Sequence, residues 1–258
     1  MTVCAETSEP VPGNVLYQPI NTLKPVAPDI WIADGPVIRM ATPFGGMPVT
    51  TRMTVVRLRD GTIWCHSPIA PDADLFAAIE ALGPVRHLVS PNLLHYAFIA
   101  AWQRRYPDAI AWASPGVRRR AASQRIEVAF DADLSDAPPA AWAADIDQLR
   151  FRGSRVIEEF VFFQRASATL ILADLIENFE RGKLTRGMYW LARLGGVLDP
   201  DGKVPLDFRL TWLGRKHVAR ECFEHILAWH PQKVILAHGR WYPENAEAEL
   251  RRAFRWVR

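Results

Sequence analysis

Thr169-Leu170-Ile171-Leu172-Ala173-Asp174 is an apolar run that stops on a carboxylate. Two other stretches are built alike. Val85-Arg86-His87-Leu88-Val89 leads through Ser90-Pro91-Asn92 to His95, and Val234-Ile235-Leu236-Ala237 leads to His238 and then Gly239. A shorter case, Ile63-Trp64-Cys65, ends on His66. Apolar runs of this length, bounded by turn residues, read as buried strands. Ligands of α/β sheets bind beyond the carboxyl ends of the strands, so a polar residue at a strand exit lands where chemistry is done. Each residue also has a structural reading. Asp174 can cap the turn after its strand. His66 can be a capping or surface histidine. The spacing predicts a helix over 93–106 that Asn92 caps, with His95 in its first turn. The helix dipole there favours neutral imidazole, the form that binds metal. The shared placement at strand exits is what argues for one joint site.

Outward from these runs, the chain alternates β-rich and α/β stretches. Asp29–Ile32, Val37–Ala41 and Thr51–Leu58 read as strands, and Arg59-Asp60-Gly61-Thr62 as a hairpin turn into Ile63–Cys65. Residues 72–82 have helical apolar spacing and stop at Gly83-Pro84. Strands at 85–89 and 110–113 alternate with helices at 93–106 and 116–124, the α/β signature. The second half repeats the order. Strands at 156–164 and 169–173 precede helices at 184–194 and 216–229, a last strand at 234–237 and a terminal helix at 245–257. This predicts one domain over 21–258 made of two similar halves, after a loosely ordered lead-in at 1–20. A cut near the middle would split His95 from Asp174 and His238.

Composition narrows the classes. The 258 residues are 49% hydrophobic and 23% charged, which excludes a disordered chain, a collagen and a rod. The surplus of 31 basic over 28 acidic residues is too small for a nucleic-acid partner. Arg118, Arg119, Arg120 and Arg125 form a basic run, read as a solvated helix face. Asp131, Asp133, Asp136, Asp145 and Asp147 follow, read as a loop. Cys4, Cys65 and Cys222 are odd in number and lack CxxC spacing, so neither a disulfide framework nor a zinc ribbon is expected. Residues 1–21 lack the apolar core of a secretion signal, and no apolar run reaches the ~20 residues needed to span a bilayer. A cytoplasmic protein without a membrane span is the expectation.

With "SPNLLH", "TLILADL" and "VILAHG" in that order on a β-then-α/β arrangement, the chain resembles the metallo-β-lactamase fold. More narrowly it is similar to the DUF4336 branch, whose flank "FVFFQRASATLILADLIENF" (160–179) is fairly specific. The resemblance spans residues 20–258. It implies a four-layer αββα sandwich, with two mixed sheets and helices on the outer faces. Catalytic members carry His-x-His-x-Asp-His. Aligning its last histidine on His95 places Ser90 and Asn92 at the first two histidines and Leu94 at the aspartate, so three of its four ligands are absent. Asp174 matches the bridging aspartate and His238 the final histidine. The family's middle histidine would precede the strand at 160, where residues 154–159 hold none. What survives is a 2-His-1-carboxylate set, His95, Asp174 and His238, able to hold one Zn or Fe ion. Asn92, Glu159 and His66 are candidates to support it.

Two readings stay open. In one the chain is a mononuclear metal-dependent hydrolase of unknown substrate, with metal-bound water as nucleophile and Asp174 and His95 central to catalysis. In the other it is a degenerate, non-hydrolytic scaffold that binds no metal and takes a small ligand or protein partner. On the strand-exit picture Trp64, Trp190, Trp241 and Tyr242 would line the pocket, and Arg240 could pair with an anionic group. Residues 179–194 mix Arg181, Lys183, Arg186 and Arg193 with Met188, Tyr189, Trp190 and Leu191. They read as a lid or side helix over the crevice, or as a helix lying on an anionic membrane. Oligomeric state is not legible.

Overall fold

The computed structural model describes residues 3–4, 16–42 and 45–258. Of the lead-in expected at 1–20, residues 1–2 and 5–15 lie outside the described residues. The chain divides into two compact units, Met1–Asp133 and Leu134–Arg258.

The first unit comprises β1 (Val3–Cys4), β2 (Lys24–Ala27), β3 (Ile30–Thr42), β4 (Gly45–Arg57), β5 (Ile63–His66), α1 (Ala73–Glu80), β6 (Val85–Val89), α2 (Ile99–Arg105), β7 (Ile110–Ala113), α3 (Val117–Ser123) and β8 (Ala132–Asp133). Its sheet runs β1-β3-β4-β5-β6-β7-β8, with β2 also paired to β3. Pairing is antiparallel as far as β5 and parallel from β5 to β8. The switch follows from the connections, since a tight turn joins antiparallel strands while a helical crossover is needed between parallel ones. The 58–62 turn is closed by Leu58 N–H donating to Thr62 O and Gly61 N–H to Leu58 O, both 2.9 Å. The first crossover opens where Asp72 Oδ1 accepts the Leu75 N–H at 2.9 Å, an N-cap for α1. Met53, Val55, Leu88 and Trp102 lie in the core between sheet and helices.

Separate strands are expected at 29–32 and 37–41, but β3 runs through both with a register shift between Asp34 and Val37. The continuity has an electrostatic support. The buried Asp34 carboxylate is held by Lys24 Nζ at 2.7 Å and by the equally buried Arg52, whose Nε lies at 2.8 Å. The helix expected over 93–106 begins only at Ile99. Asn92 Oδ1 accepts the N–H of Leu94 (2.8 Å) and of His95 (3.3 Å), which winds the preceding residues into turns.

The second unit comprises β9 (Ile146–Phe151), β10 (Glu159–Gln164), β11 (Thr169–Ile171), α4 (Arg186–Gly195), α5 (Leu206–Leu210), α6 (Lys216–Ala228), β12 (Lys233–Ile235) and α7 (Ala246–Ala253). Its sheet order is β12-β11-β10-β9, antiparallel except for the parallel β11–β12 pair. Phe151, Val161, Leu170, Trp212 and Phe254 belong to its core. The two sheets differ in size, with eight strands in one and four in the other among the described residues. β9 was not expected, because Asp145 and Asp147 read as loop. Asp147 instead sits inside the strand, with Arg165 Nε donating to its Oδ2 at 2.7 Å. Cys65 and Cys222 are buried free thiols. No helix among the described residues is long and apolar enough to cross a membrane.

His87, buried on β6, supplies a pH test. Burial pushes its ring down to about 4 from 6.5, opposed by Asp60 and helped by Arg86. Trp112 Nε1–H donates to its Nδ1 at 3.3 Å, as a neutral ring requires. The unfolded chain therefore binds the proton first as pH falls. The stability that the neutral ring supplies is complete above 6.5 and lost as pH falls through 4. Urea titrations should show a loss of up to about 3 kcal/mol across that window, reduced in His87→Gln.

Candidate functional site

β11 and β12 are parallel neighbours, with Leu170 opposite Val234 and Ile171 opposite Ile235. Both strands therefore leave the sheet at the same end, and Asp174 and His238 follow them there. His238 Nε2 lies 3.2 Å from Asp174 Oδ1, and each side chain is less than a tenth exposed. A buried carboxylate facing a buried imidazole is a donor pair of the type that zinc and iron take. It is also a hydrogen-bonded pair able to satisfy itself.

Other residues build this pair. Glu159, the first residue of β10, is 2% exposed. Its two oxygens accept the backbone N–H of Ala173 (2.8 Å) and Asp174 (2.7 Å), fixing the chain where the carboxylate emerges. On the other side Asn178 ties three segments together. Its Nδ2 donates to Asp199 Oδ1 (2.9 Å) and to Arg240 O (3.0 Å), while its Oδ1 accepts the Gly202 N–H at 3.2 Å. Its backbone N–H donates to His238 O at 3.3 Å, and its carbonyl accepts the Arg240 N–H at 2.8 Å. This close approach requires glycine at 239. Gly239 has φ +85°, and a Cβ there would stand 2.2 Å from Asn178 O. Neither Asn178 nor Gly239 was singled out as a site residue, although Gly239 directly follows the histidine at the strand exit.

Glu177 joins the same neighbourhood electrostatically. Burial of its carboxylate pushes it up to about 8; His238 opposes the shift, while Asp174, Asp207 and Glu159 add to it. The residue as a whole is half-buried.

In the first unit, His95 lies in the turn before α2 and is half-buried. Its Nδ1 is hydrogen-bonded to Ser67 Oγ. Ser67 follows β5 with φ +56°, a conformation rare for serine, and its N–H donates to Val89 O at 2.9 Å. The sequence reading missed Ser67, whose only local signal is that it follows His66. Ser90 and Asn92 are fully buried and serve the loop itself, Ser90 Oγ donating to Asn92 O at 3.1 Å. His66 is buried in β5, its ring stacked on Trp64 with centroids 5.8 Å apart.

The aromatic residues expected to line the pocket differ in exposure. Trp64 is fully buried, Tyr242 belongs to the second unit's core with Trp241 packed against it, and Trp190 is 57% exposed. Arg240 is largely exposed and stands 3.6 Å from Asp199 Oδ2.

Comparison with known proteins places this geometry in a family and a fold. The model of the DUF4336 family, a domain of unknown function, matches residues 43–183. No functionally curated protein matches the chain. Among solved structures the chain is similar to the metallo-β-lactamase DIM-1 exposed to ceftazidime, at 14% identity and a TM-score of 0.63 over 92% of this chain and 97% of that one. It is similar to the metallo-β-lactamase FIM-1 from Pseudomonas aeruginosa in the mono-zinc form, at 13% identity, 92% and 96% coverage and a TM-score of 0.54. It is also similar to rubredoxin oxygen:oxidoreductase from the anaerobe Desulfovibrio gigas, at 9% identity, 92% and 61% coverage and a TM-score of 0.61. At such identities the likeness establishes the metallo-β-lactamase fold, two mixed sheets with helices, and leaves activity to the site.

Two measurements probe the construction of the pair. Gly239→Ala forces a Cβ against the Asn178 carbonyl and should cost about 2–4 kcal/mol of stability, read as a fall in Tm. Glu177 keeps its proton up to about 8 when folded, whereas the unfolded chain releases it near 4.5. Its contribution is complete below 4.5 and lost as pH rises through 8. Glu177→Gln should flatten the decline in stability between pH 5 and 8, measured by denaturant titration.

Proposed function

The chain belongs to the DUF4336 family of domains of unknown function, and from that premise we propose that it is a hydrolase using one metal ion, Zn²⁺ or Fe²⁺. Asp174 and His238 are the ligands in the second unit. His95, the strand-exit histidine of the first, is the third. The observation that carries this reading is the buried Asp174–His238 pair, 3.2 Å apart beyond two parallel strands. The mono-zinc form of FIM-1 is a precedent for a single ion on this fold.

When bound, such an ion supplies Lewis acidity toward a water or a substrate oxygen. The residues of the chain orient the ligands. Glu159 holds the Asp174 backbone, so the carboxylate emerges at a fixed angle. Asn178 and Gly239 hold the turn that carries His238. Ser67 engages Nδ1 of His95 and Asn92 holds its backbone N–H, which supports Nε2 as the ligating atom. With Ser90, Asn92 and Leu94 in place of two histidines and an aspartate, a two-metal mechanism is not part of the proposal. The substrate is a small molecule.

Metal content tests this directly. Protein purified without chelator should carry about one equivalent of zinc or iron, falling below about 0.2 in Asp174→Ala and His238→Ala. Less than about 0.2 equivalents in the parent protein, with no uptake on zinc or iron titration, overturns the proposal.

A second reading is favoured by one distance. At 3.2 Å His238 and Asp174 satisfy each other without an ion, as expected of a non-hydrolytic scaffold that binds a small ligand or partner. A panel of esters, thioesters, lactones and phosphodiesters separates the two. Turnover that disappears in Asp174→Ala, with circular dichroism unchanged, contradicts the scaffold reading.

A further inference from the structure

Exposed apolar side chains are concentrated in one part of the second unit. Of the eight large hydrophobic residues exposed among the described residues, six lie between 190 and 213: Trp190, Leu191, Leu194, Leu206, Leu210 and Leu213. Scattered single exposures are ordinary, but a local concentration marks an interaction surface.

Helix α4 is turned the opposite way from a usual surface helix, which hides its apolar stripe. Its one buried residue is the small Ala192, while Trp190, Leu191 and Leu194 are 57%, 58% and 71% exposed. Helix α5 packs beside it. Leu206, Leu210 and Leu213, at helical spacing through α5 and the turn after it, are 42%, 53% and 53% exposed. Both helix ends of α4 are defined: Thr185 Oγ1 accepts the Met188 N–H at 3.4 Å, and Gly196 closes the helix with φ +73°. The exposed stripe is therefore part of an ordered element.

The charge around the stripe has one dominant sign. Residues 181–215 hold seven Arg or Lys against three Asp, and residues 181–198 hold four cations and no acid. Arg193 lies over the Trp190 ring, 5.4 Å from its centroid, and Arg181 over Tyr189 at 5.1 Å. Guanidinium groups beside amphipathic aromatics suit the boundary between lipid headgroups and acyl chains, where the ring enters and the cation meets phosphate.

We propose that the α4–α5 face is a docking surface for an anionic lipid bilayer. Trp190, Leu191 and Leu194 enter the headgroup layer, with Leu210 and Leu213 beside them, while Arg181, Lys183, Arg186 and Arg193 pair with lipid phosphates. A second copy of the chain is the poorer occupant. A two-fold contact centred on this face sets the cationic rim against itself, and like-charge juxtaposition disfavours that partner.

Vesicle sedimentation with the full chain tests the proposal. The probes are phosphatidylcholine vesicles with about 30% phosphatidylglycerol, and pure phosphatidylcholine vesicles, at low salt and at about 0.5 M salt. The parent protein should bind the anionic vesicles at least ~10-fold better than the neutral ones and release in high salt. W190S/L194S and R186E/R193E should each lose ~10-fold, whereas Val156→Ser, at an exposed apolar residue elsewhere in the unit, should bind as the parent does. These side chains are exposed, so far-UV circular dichroism should be unchanged. If W190S/L194S fails to fold, R186E/R193E decides the matter. Equal binding to both vesicle types, no binding to either, or unchanged binding by the folded variants overturns the proposal. So does light scattering that shows a dimer converted to monomer by W190S/L194S, which would assign the face to self-association.

Discussion

A buried carboxylate must find donors, and Glu159 finds two in the backbone N–H groups of Ala173 and Asp174. This contact decides how the chain leaves β11, and much of the second unit's site depends on it. The parallel pairing of β11 with β12 then brings the exit of β12 alongside, and Asn178 ties that exit to the segment after Asp174. The Asp174–His238 pair is thus held from both sides by backbone contacts. Its geometry is a property of the sheet end, not of two side chains that happen to meet. That rigidity is what a metal site needs, and equally what a self-satisfied buried pair needs.

The first unit solves a related problem differently. There Asp34 is buried at the irregular point of a long hairpin and is neutralised by Lys24 and Arg52. Removing one partner of such a cluster would leave charge without compensation in the interior, so it locks the register where the strands shift. The turn before α2 uses neutral donors instead. Asn92 and Ser67 position the backbone and ring of His95, although neither has metal-ligand character here.

Much was legible locally. The strand run ending at Val89, the hairpin at 58–62 and the helix that stops before Gly83-Pro84 follow from apolar pattern and turn chemistry, which act over a few residues. Asp174 and His238 were also visible, because each directly follows its run. Other features were not. β9 was hidden by Asp147, whose partly exposed carboxylate pairs with Arg165 in the turn directly after the adjacent strand β10. The helix expected from residue 93 was shortened by the Asn92 side chain, which competes with helical hydrogen bonding. The aromatic residues were expected from the strand-exit picture, which does not specify how deeply each ring is buried in its own element.

The sequence by itself determined the alternation of β-rich and α/β stretches, the polar residues at the strand exits and the cationic, aromatic composition of 179–194. These depend on periodicity and on neighbours close along the chain. Tertiary structure alone decided that Glu159 and Asn178 would be the clamps on the Asp174–His238 pair, because their partners lie 14 and more residues away or on another strand. It also decided that α4 would bury Ala192 and leave Trp190, Leu191 and Leu194 exposed. An amphipathic pattern specifies that a helix has two faces, but only the surroundings settle which of them meets the core.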